Sequence, residues 1–277
     1  MVHLSDLHLG SRADLAQVEA LERLVPELAP AAVVISGDLT QRARHGEFQR
    51  ALAFVQHCRR TAPVLTVPGN HDVRWWSSPL GIRGSGPIYN HYGRYLGDVP
   101  GPALEVPEAI IVGTVSANGL AFGSFTWNPR DLTVKGHLPA SELERARVAF
   151  SRVDLTACRV LVLHHNVLRG KISNRWGLSR PRATQRGILE CGADLVLCGH
   201  DHEEQIGLLR RKDGRTEGRT VVVSQSGTHT DMTRGKRPSA FCLIWISPVE
   251  IGVRFMRWNG VAFEPAGEQN FPRQHRG

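Results

Sequence analysis

Residues 195–202 read LVLCGHDH, an apolar run that reaches a glycine and ends in two histidines flanking an aspartate. The same arrangement recurs in MVHLSDLH at 1–8, AAVVISGD at 31–38, PVLTVPGNHD at 63–72 and RVLVLHHN at 159–166. Each run has the length and composition of a buried strand. The chain therefore repeatedly buries a short strand and then places metal-binding or proton-binding side chains at its end.

Segments of helical period separate these runs. A first apolar stripe comprises Leu15, Val18, Leu21, Leu24 and Leu28, and a second comprises Phe48, Leu52, Phe54 and Val55. Ser141 and Glu144 have the spacing of a capping box that would open a helix over 141–150. The alternation of strand and helix predicts right-handed crossovers and a largely parallel sheet. Its strands are apolar at successive residues, which indicates that both faces are covered.

The pattern changes after Asp201. Residues 220–227, 240–247 and 250–258 are strand-like, with no helical segment between them, which predicts a second, more antiparallel sheet packed on the first. Residues 77–107 are rich in glycine and proline and predict neither helix nor strand, so we expect a surface insertion or lid there. Because the five runs must converge, we expect residues 1–277 to form a single domain.

The composition narrows the class of protein. A chain of 277 residues that is 41% hydrophobic can bury a large core, and no apolar stretch approaches the roughly 20 residues that span a bilayer. Five cysteines without a C-x-x-C pair indicate reduced thiols and a cytoplasmic location. The formal charge of +8 suits an anionic partner or substrate.

Ligand sites in parallel sheets lie beyond the carboxyl ends of the strands. The residues that this rule places on one rim are Asp6, His8, Asp38, Asn70, His71, His164, His200 and His202. Even without His71, two carboxylates, four imidazoles and one amide oxygen are too many ligands for one tetrahedral zinc. They suit two divalent transition metals that share a carboxylate.

These motifs carry a resemblance to a known family. D-x-H at Asp6 and His8, GD at Asp38, GNHD at 69–72, the later His164 and GHxH at 199–202 resemble, in this order, the calcineurin-like metallophosphoesterase superfamily. Within it, the chain most resembles the small bacterial cyclic-nucleotide-type (class III) phosphodiesterases. The resemblance implies a four-layer α/β/β/α sandwich with two mixed sheets, and a centre of two metals drawn from manganese, iron and zinc.

The resemblance also implies a role for each motif residue. The first metal would be held by Asp6, His8 and His202, the second by Asn70, His164 and His200, and Asp38 would bridge them. His71 resembles the family's non-ligand histidine, which contacts the phosphate and protonates the leaving oxygen. Asp72 would orient the His71 ring. Purple acid phosphatases of this superfamily have a tyrosine where this chain has Gln41, which argues against a tyrosinate-bound iron.

The activity that the resemblance implies is hydrolysis of a nucleotide-like phosphodiester by a hydroxide that bridges two metals. A phosphomonoesterase, a DNA or RNA nuclease and a binding scaffold on the same fold are the alternatives. The nuclease is disfavoured because we find no added domain that could position a duplex, and the scaffold because every ligand position is filled. We expect a small diester substrate, no membrane contact and no favoured nucleic-acid partner, while a homo-oligomer stays open.

Several residues near the motifs have two interpretations. Adjacent strand residues point to opposite faces, so His165 is expected to bind no metal and to be structural or to face the substrate. The loop at 166–182 either clamps a phosphate and stacks on a base or is a solvated loop; it carries Arg169, Lys171, Arg175, Trp176, Arg180 and Arg182. Trp75, Trp76 and His229 either line the site or lie elsewhere. The predicted substrate contacts are Asn70, His71, His165 and Arg169.

Overall fold

A computed structural model describes residues 1–73, 87–101, 103–117, 135–210, 219–228, 230 and 238–274. Two six-stranded sheets form its centre. The first sheet has the order β12-β11-β10-β1-β2-β3. Its strands are β1 (Val2–Leu4), β2 (Val33–Ile35), β3 (Val64–Thr66), β10 (Ala240–Ile246), β11 (Glu250–Trp258) and β12 (Phe263–Pro272). The second sheet has the order β4-β5-β6-β7-β9-β8. Its strands are β4 (Leu104–Val106), β5 (Ala109–Gly113), β6 (Cys158–Val162), β7 (Leu195–Cys198), β8 (Gln205–Arg210) and β9 (Thr220–Gln225).

Helices cover the outer face of each sheet. They are α1 (Leu15–Leu28), α2 (His45–Arg59), α3 (Asn90–Leu96), α4 (Ala140–Phe150) and α5 (Pro181–Cys191). One apolar core joins α1, α2 and α3 to the first sheet, and another joins α4 and α5 to the second. A third core lies between the sheets and contains Val34 and Cys242 of one and Val160 and Leu197 of the other. The predicted four-layer α/β/β/α sandwich with two mixed sheets is therefore confirmed.

The helices between the first three runs form where the apolar stripes predict them. Asp14 caps α1 by accepting hydrogen bonds from the amides of Ala16 and Gln17 at 3.0 and 3.4 Å. Leu21 and Val25 of α1 are fully buried, whereas Leu15 is 66% exposed and lies outside the buried stripe. Among the described residues, no helix is both long and apolar enough to cross a membrane.

The division of the strands between the sheets differs from the prediction. The first three runs lie in one sheet and the last two in the other, instead of all five forming one sheet. Strands from after Asp201 extend both sheets: β10 pairs antiparallel with β1, and β9 pairs parallel with β7. A strand's own apolar pattern shows that it is buried but not which neighbour takes its free edge, so the sequence could not reveal this division.

Two local expectations are wrong. Helix α4 begins at Ala140 with Pro139 at its N-cap, so Ser141 lies inside the first turn and cannot form the predicted capping box. Glu144 instead pairs with Arg147 at 2.6 Å. The described part of 77–107 contains a 3₁₀ turn at Pro87–Tyr89 as well as α3 and β4, although no regular structure was expected. These elements are too short to show a period in the sequence. Residues 74–86 and 102 lie outside the described residues.

Candidate metal centre

The carboxyl ends of strands from both sheets meet at one place. Within the first sheet, the amides of Asp6 and His8 donate to the carbonyls of Gly37 and Asp38 at 2.9 and 2.8 Å. Between the sheets, the His200 amide donates to the Asp6 carboxylate at 2.9 Å. The seven predicted ligands are therefore brought together even though their strands belong to two sheets.

A first group of four buried side chains could hold one metal. Its members are Asp6, His8, Asp38 and His202, and their ligand atoms all lie within 4.8 Å of one another. Nε2 of His8 lies 3.3 Å from Nε2 of His202 and 3.8 Å from Oδ2 of Asp38. Nε2 of His202 lies 3.5 Å from Oδ1 of Asp6.

A second group surrounds the Asn70 amide oxygen. That oxygen lies 3.0 Å from both Nε2 of His164 and Nδ1 of His200. Nε2 of His164 is in turn 3.3 Å from Oδ2 of Asp38, the same oxygen that borders the first group. One carboxylate oxygen is therefore within reach of both groups, as a bridging ligand must be.

Backbone carbonyls fix the tautomers of two of these histidines. Nδ1 of His164 lies 2.8 Å from the Ser36 carbonyl, and Nδ1 of His8 lies 3.3 Å from the Thr40 carbonyl. A carbonyl can only accept, so Nδ1 carries the proton in each ring. The lone pair of Nε2 then points into the centre, which is the usual arrangement of a metal-binding histidine.

Five of the seven candidate ligands have left-handed backbone conformations. Their φ angles are 56° at Asp6, 45° at His8, 53° at Asp38, 76° at His200 and 53° at His202. Aspartate and histidine adopt this region more readily than most residues, but each instance still costs on the order of 1–3 kcal/mol. Such strain persists where the surrounding structure holds a functional geometry. Gly37 adopts φ 94°, and a Cβ there would collide with the His164 ring and the Gly69 backbone.

The carboxylates and imidazoles shift one another's pKa. Burial raises the pKa of Asp6 to about 7, and the Asp38 charge adds to that rise. Burial would also raise the pKa of Asp38, but His164, His71 and His8 hold it well below its usual value. Burial lowers the pKa of His164, yet Asp38 and Asp6 outweigh this effect and raise it to about 9. Protons and metal ions must therefore compete for these atoms near neutral pH.

The residues present fit a pair of divalent metals. Oδ1 of Asp6 is buried and accepts no hydrogen bond from the described part of the chain. The ring nitrogens and carboxylate oxygens of the neighbouring ligands point toward the same place as this oxygen. So many buried lone pairs are stable together only when protons or cations lie between them. The mixed nitrogen and oxygen donors suit manganese, iron or zinc, and do not distinguish between them.

His71 lies beside both groups and belongs to neither. Its amide donates to Oδ1 of Asp38 at 2.8 Å, and its ring centroid is 4.8 Å from that of His8. Nδ1 of His71 donates to the Gln41 carbonyl at 2.8 Å, so Nε2 is the atom that can gain or lose a proton. Gln41 is the residue that stands where the purple acid phosphatases have a tyrosine. Its backbone carbonyl orients the His71 ring.

Asp72 was predicted to orient the His71 ring, but its carboxylate makes its hydrogen bonds elsewhere. Its carboxylate accepts hydrogen bonds from the amides of Leu39, Thr40 and Gly69 at 3.2, 2.8 and 3.0 Å. The Thr40 hydroxyl donates to it at 2.9 Å and also lies 3.1 Å from the His71 carbonyl. Asp72 therefore fastens the loop after β2 to the loop after β3. Burial, with a smaller effect of Asp38, raises its pKa to about 6.

His165 does not face away from the centre. The strand ends at Val162, so the period-two rule does not apply two and three residues later. The His165 ring lies 4.9 Å from the His164 ring and 4.5 Å from the His200 ring, and it belongs to a third group of potential ligands with them. Nδ1 of His165 lies 2.9 Å from the Ser116 hydroxyl.

Sequence reasoning missed the groups that hold the ligands in place. The Ser36 and Thr40 carbonyls carry no sequence signal, because every residue has a backbone carbonyl. Ser116 acts through its hydroxyl, but it lies outside the five motifs and nothing in the sequence marks it. Arg169 is exposed on the loop after β6, outside both ligand groups. The predictions for Trp75, Trp76 and His229 fall outside the described residues.

Known proteins share this fold. No curated protein matches the sequence. The structure is similar to the purple acid phosphatase PPD1 of yellow lupin, with 12% identity, a TM-score of 0.63 and coverage of 99% of this chain and 53% of that one. It is also similar to GAP50, described as the anchor in the inner membrane complex of Plasmodium, with 12% identity, a TM-score of 0.57 and coverage of 99% and 88%. At such identities, likeness shows the fold alone.

The family follows from the sequence match. Residues 1–204 match the model of the calcineurin-like phosphoesterases, and this range contains every member of both ligand groups. The chain belongs to the calcineurin-like phosphoesterase family.

Proposed function

We propose that the protein is a dinuclear metal-dependent phosphodiesterase that acts on a nucleotide-like substrate. Family membership implies metal-dependent hydrolysis of a phosphate ester. The observation that carries the proposal of two metals is Oδ2 of Asp38, which lies 3.3 Å from His164 and 3.8 Å from His8. The motif resemblance to bacterial class III phosphodiesterases supports the preference for a diester.

Each ligand group would hold one metal. Asp6, His8, Asp38 and His202 would bind the first, and Asp38, Asn70, His164 and His200 the second. When bound, such metals act as Lewis acids toward phosphate oxygens and lower the pKa of water, which supplies the nucleophile. The protein contributes buried ligand atoms, several of them on residues with left-handed backbone conformations, and their positions are fixed before the substrate arrives.

His71 would assist the leaving oxygen. Because Nδ1 donates to the Gln41 carbonyl, a second proton on the ring can only be held at Nε2. That proton would pass to the oxygen of the departing alcohol. Asp72 would act indirectly, because its hydrogen bonds fix the loop that carries Asp38 relative to the loop that carries His71.

The remaining assignments concern the surroundings of the centre. Asn70, His71 and His165 are the proposed contacts to the phosphate, and Arg169 is a proposed contact to the rest of the substrate. All five cysteines are buried and unpaired, which supports a cytoplasmic location. We expect a small phosphodiester rather than nucleic acid as the partner.

A hydrolysis panel with manganese tests this function. Its members are bis-p-nitrophenyl phosphate, p-nitrophenyl phosphate, cyclic nucleotides and single-stranded DNA. We expect the diesters to be cleaved with higher kcat/KM than the monoester or the DNA. Preference for p-nitrophenyl phosphate would identify a phosphomonoesterase, and preference for DNA a nuclease. Absence of turnover by fully metal-loaded protein would favour a binding scaffold.

A further inference from the structure

A compact basic loop begins three residues after His164, in the segment that follows β6. This basic loop comprises residues 167–176, VLRGKISNRW, and contains three cations and no carboxylate. Arg169, Lys171 and Arg175 are all exposed. Among the described residues, the ion pairs of lysine and arginine with carboxylates all involve other cations. None of these three cations lies within 4.0 Å of a described carboxylate.

Hydrogen bonds within the basic loop give it a defined shape. The Asn166 side chain donates to the carbonyls of Leu168 and Arg175 at 2.9 and 3.5 Å. The Gly170 amide donates to the Arg175 carbonyl at 2.9 Å, and the Asn174 amide donates back to the Gly170 carbonyl at 3.0 Å. The two ends of the loop are therefore held together by Asn166, which follows His164 by two residues.

Two acidic residues fasten the basic loop to the segment that carries His200 and His202. The Ser173 hydroxyl donates to Oδ2 of Asp201 at 2.5 Å, and the Ile172 amide donates to Oε2 of Glu203 at 2.9 Å. Glu203 is 5% exposed. Asp201 and Glu203 alternate with the two histidines along the chain, so one short segment holds both the candidate ligands and the loop.

The approach of the loop to this segment is close enough to require glycine. A Cβ on Gly170 would collide with the side chains of Asp201, Ser173 and Glu203. The two acidic side chains accept hydrogen bonds from an amide and a hydroxyl of the loop, and neither forms an ion pair with Arg169, Lys171 or Arg175. The fold thus fixes the loop that carries the three cations against the segment that contains His200 and His202.

We propose that the basic loop binds a second phosphate group of the substrate, and that Asp201 and Glu203 are positioning residues for the loop. This inference rests on the proposed function. Guanidinium and ammonium groups bind phosphate oxygens through strong charge-assisted hydrogen bonds. Three cations on a loop of this size match one phosphate group better than the extended backbone of a duplex, which spreads its charge over a longer surface.

Two substrates that differ only in that phosphate test the proposal. They are thymidine 5′-(p-nitrophenyl phosphate) and the same ester with an added 3′-phosphate, so the scissile bond and the leaving group are identical. With manganese, we expect the unmodified protein to show a KM about tenfold lower for the 3′-phosphorylated ester, a difference of about 1.4 kcal/mol. Equal KM values would overturn the proposal. Cleavage of neither ester would instead contradict the proposed function.

Charge reversal locates the effect. Lys171→Glu with Arg175→Glu should abolish the KM advantage of the phosphorylated ester. The double variant Arg23→Glu with Arg152→Glu is the matched control, because both arginines are exposed outside the basic loop and the net charge changes by the same amount. It should retain the advantage. Persistence of the advantage in the loop variant, or its equal loss in the control, would overturn the proposal.

Substitution of Glu203 separates positioning from folding. Glu203→Ala removes the acceptor of the Ile172 amide and should reduce the KM advantage more than it changes kcat. Glu203→Gln keeps an acceptor oxygen and should restore the advantage. The same loss in both variants, or a loss of bound manganese in proportion to the loss of advantage, would contradict the positioning role.

Discussion

Asp38 divides its two carboxylate oxygens between two tasks. Oδ2 borders both ligand groups, while Oδ1 accepts the His71 amide at 2.8 Å. We expect Asp38→Asn to weaken both metal sites and to lower turnover by about 10²-fold or more, since even supporting residues of metal sites cost 10–100-fold. Metal content by elemental analysis and kcat with a p-nitrophenyl diester measure this.

A matched variant distinguishes the bridge from a terminal ligand. His202→Ala should deplete one metal and leave the other largely bound, because His202 borders the first group alone. Retention of both metals and near-normal turnover by Asp38→Asn would show that the bridge is assigned wrongly.

His71 should matter most when the leaving group is basic. A p-nitrophenolate departs readily as an anion, whereas a ribose alkoxide needs a proton, and such help is worth about 10²–10⁴-fold. His71→Ala should therefore slow a nucleotide diester far more than a p-nitrophenyl diester, with metal content unchanged. Equal losses on both substrates would indicate phosphate binding alone, and loss of a metal would make His71 a ligand.

Metal binding should release protons at neutral pH. In the metal-free protein, the pKa of His164 is raised to about 9 and that of Asp6 to about 7, and both groups must lose their protons to bind a metal. Both shifts favour the protonated folded state, so the metal-free protein should lose stability as pH rises toward 9. The depressed pKa of Asp38 acts in the opposite sense, but only in acid, below the range of interest.

Calorimetry and thermal melts measure this linkage. Titration with manganese at pH 7 in two buffers of different ionisation enthalpy should report net proton release. The rise in Tm on adding manganese should grow between pH 6 and pH 9. An affinity that is independent of pH over this range would contradict the assignment of Asp6 and His164 as ligands.

At the scale of elements, the loops after the strands, rather than the strands themselves, set the directions of the candidate ligands. The strands position the chain, and the left-handed residues Asp6, His8 and Asp38 then turn their side chains inward. The sequence could predict where each strand ends, because apolar runs give way to polar residues there. It could not predict the left-handed turns, the carbonyls that fix the rings or the direction of His165, because these follow from contacts between distant loops.

Helix α1 offers a test of an element by itself. Asp14→Ala removes the acceptor of the Ala16 and Gln17 amides and should cost about 1 kcal/mol, or about 2–4 °C in Tm. Asp14→Asn keeps an acceptor and should lose much less. Thermal melts of the three proteins with equal metal content decide the point, and equal losses in both variants would contradict a capping role.

At the scale of the whole molecule, the centre exists because two sheets present their carboxyl ends at the same edge. Nδ1 of His164, just after β6 of the second sheet, donates to the carbonyl of Ser36, just after β2 of the first, at 2.8 Å, and the His200 amide donates to the Asp6 carboxylate. The four-layer fold was predicted through the resemblance of the motifs to a known family. The division of strands between sheets could not be, since β10 and β9 reach their partners by long-range pairing that leaves no local pattern.

The number of metals bound by active protein tests the central claim most directly. Protein with full diesterase activity should contain two divalent transition metals per chain by elemental analysis, and should lose activity to a chelator. Manganese added back should restore activity as occupancy rises toward two. Full activity with one metal or none per chain would contradict a dinuclear centre built from both ligand groups.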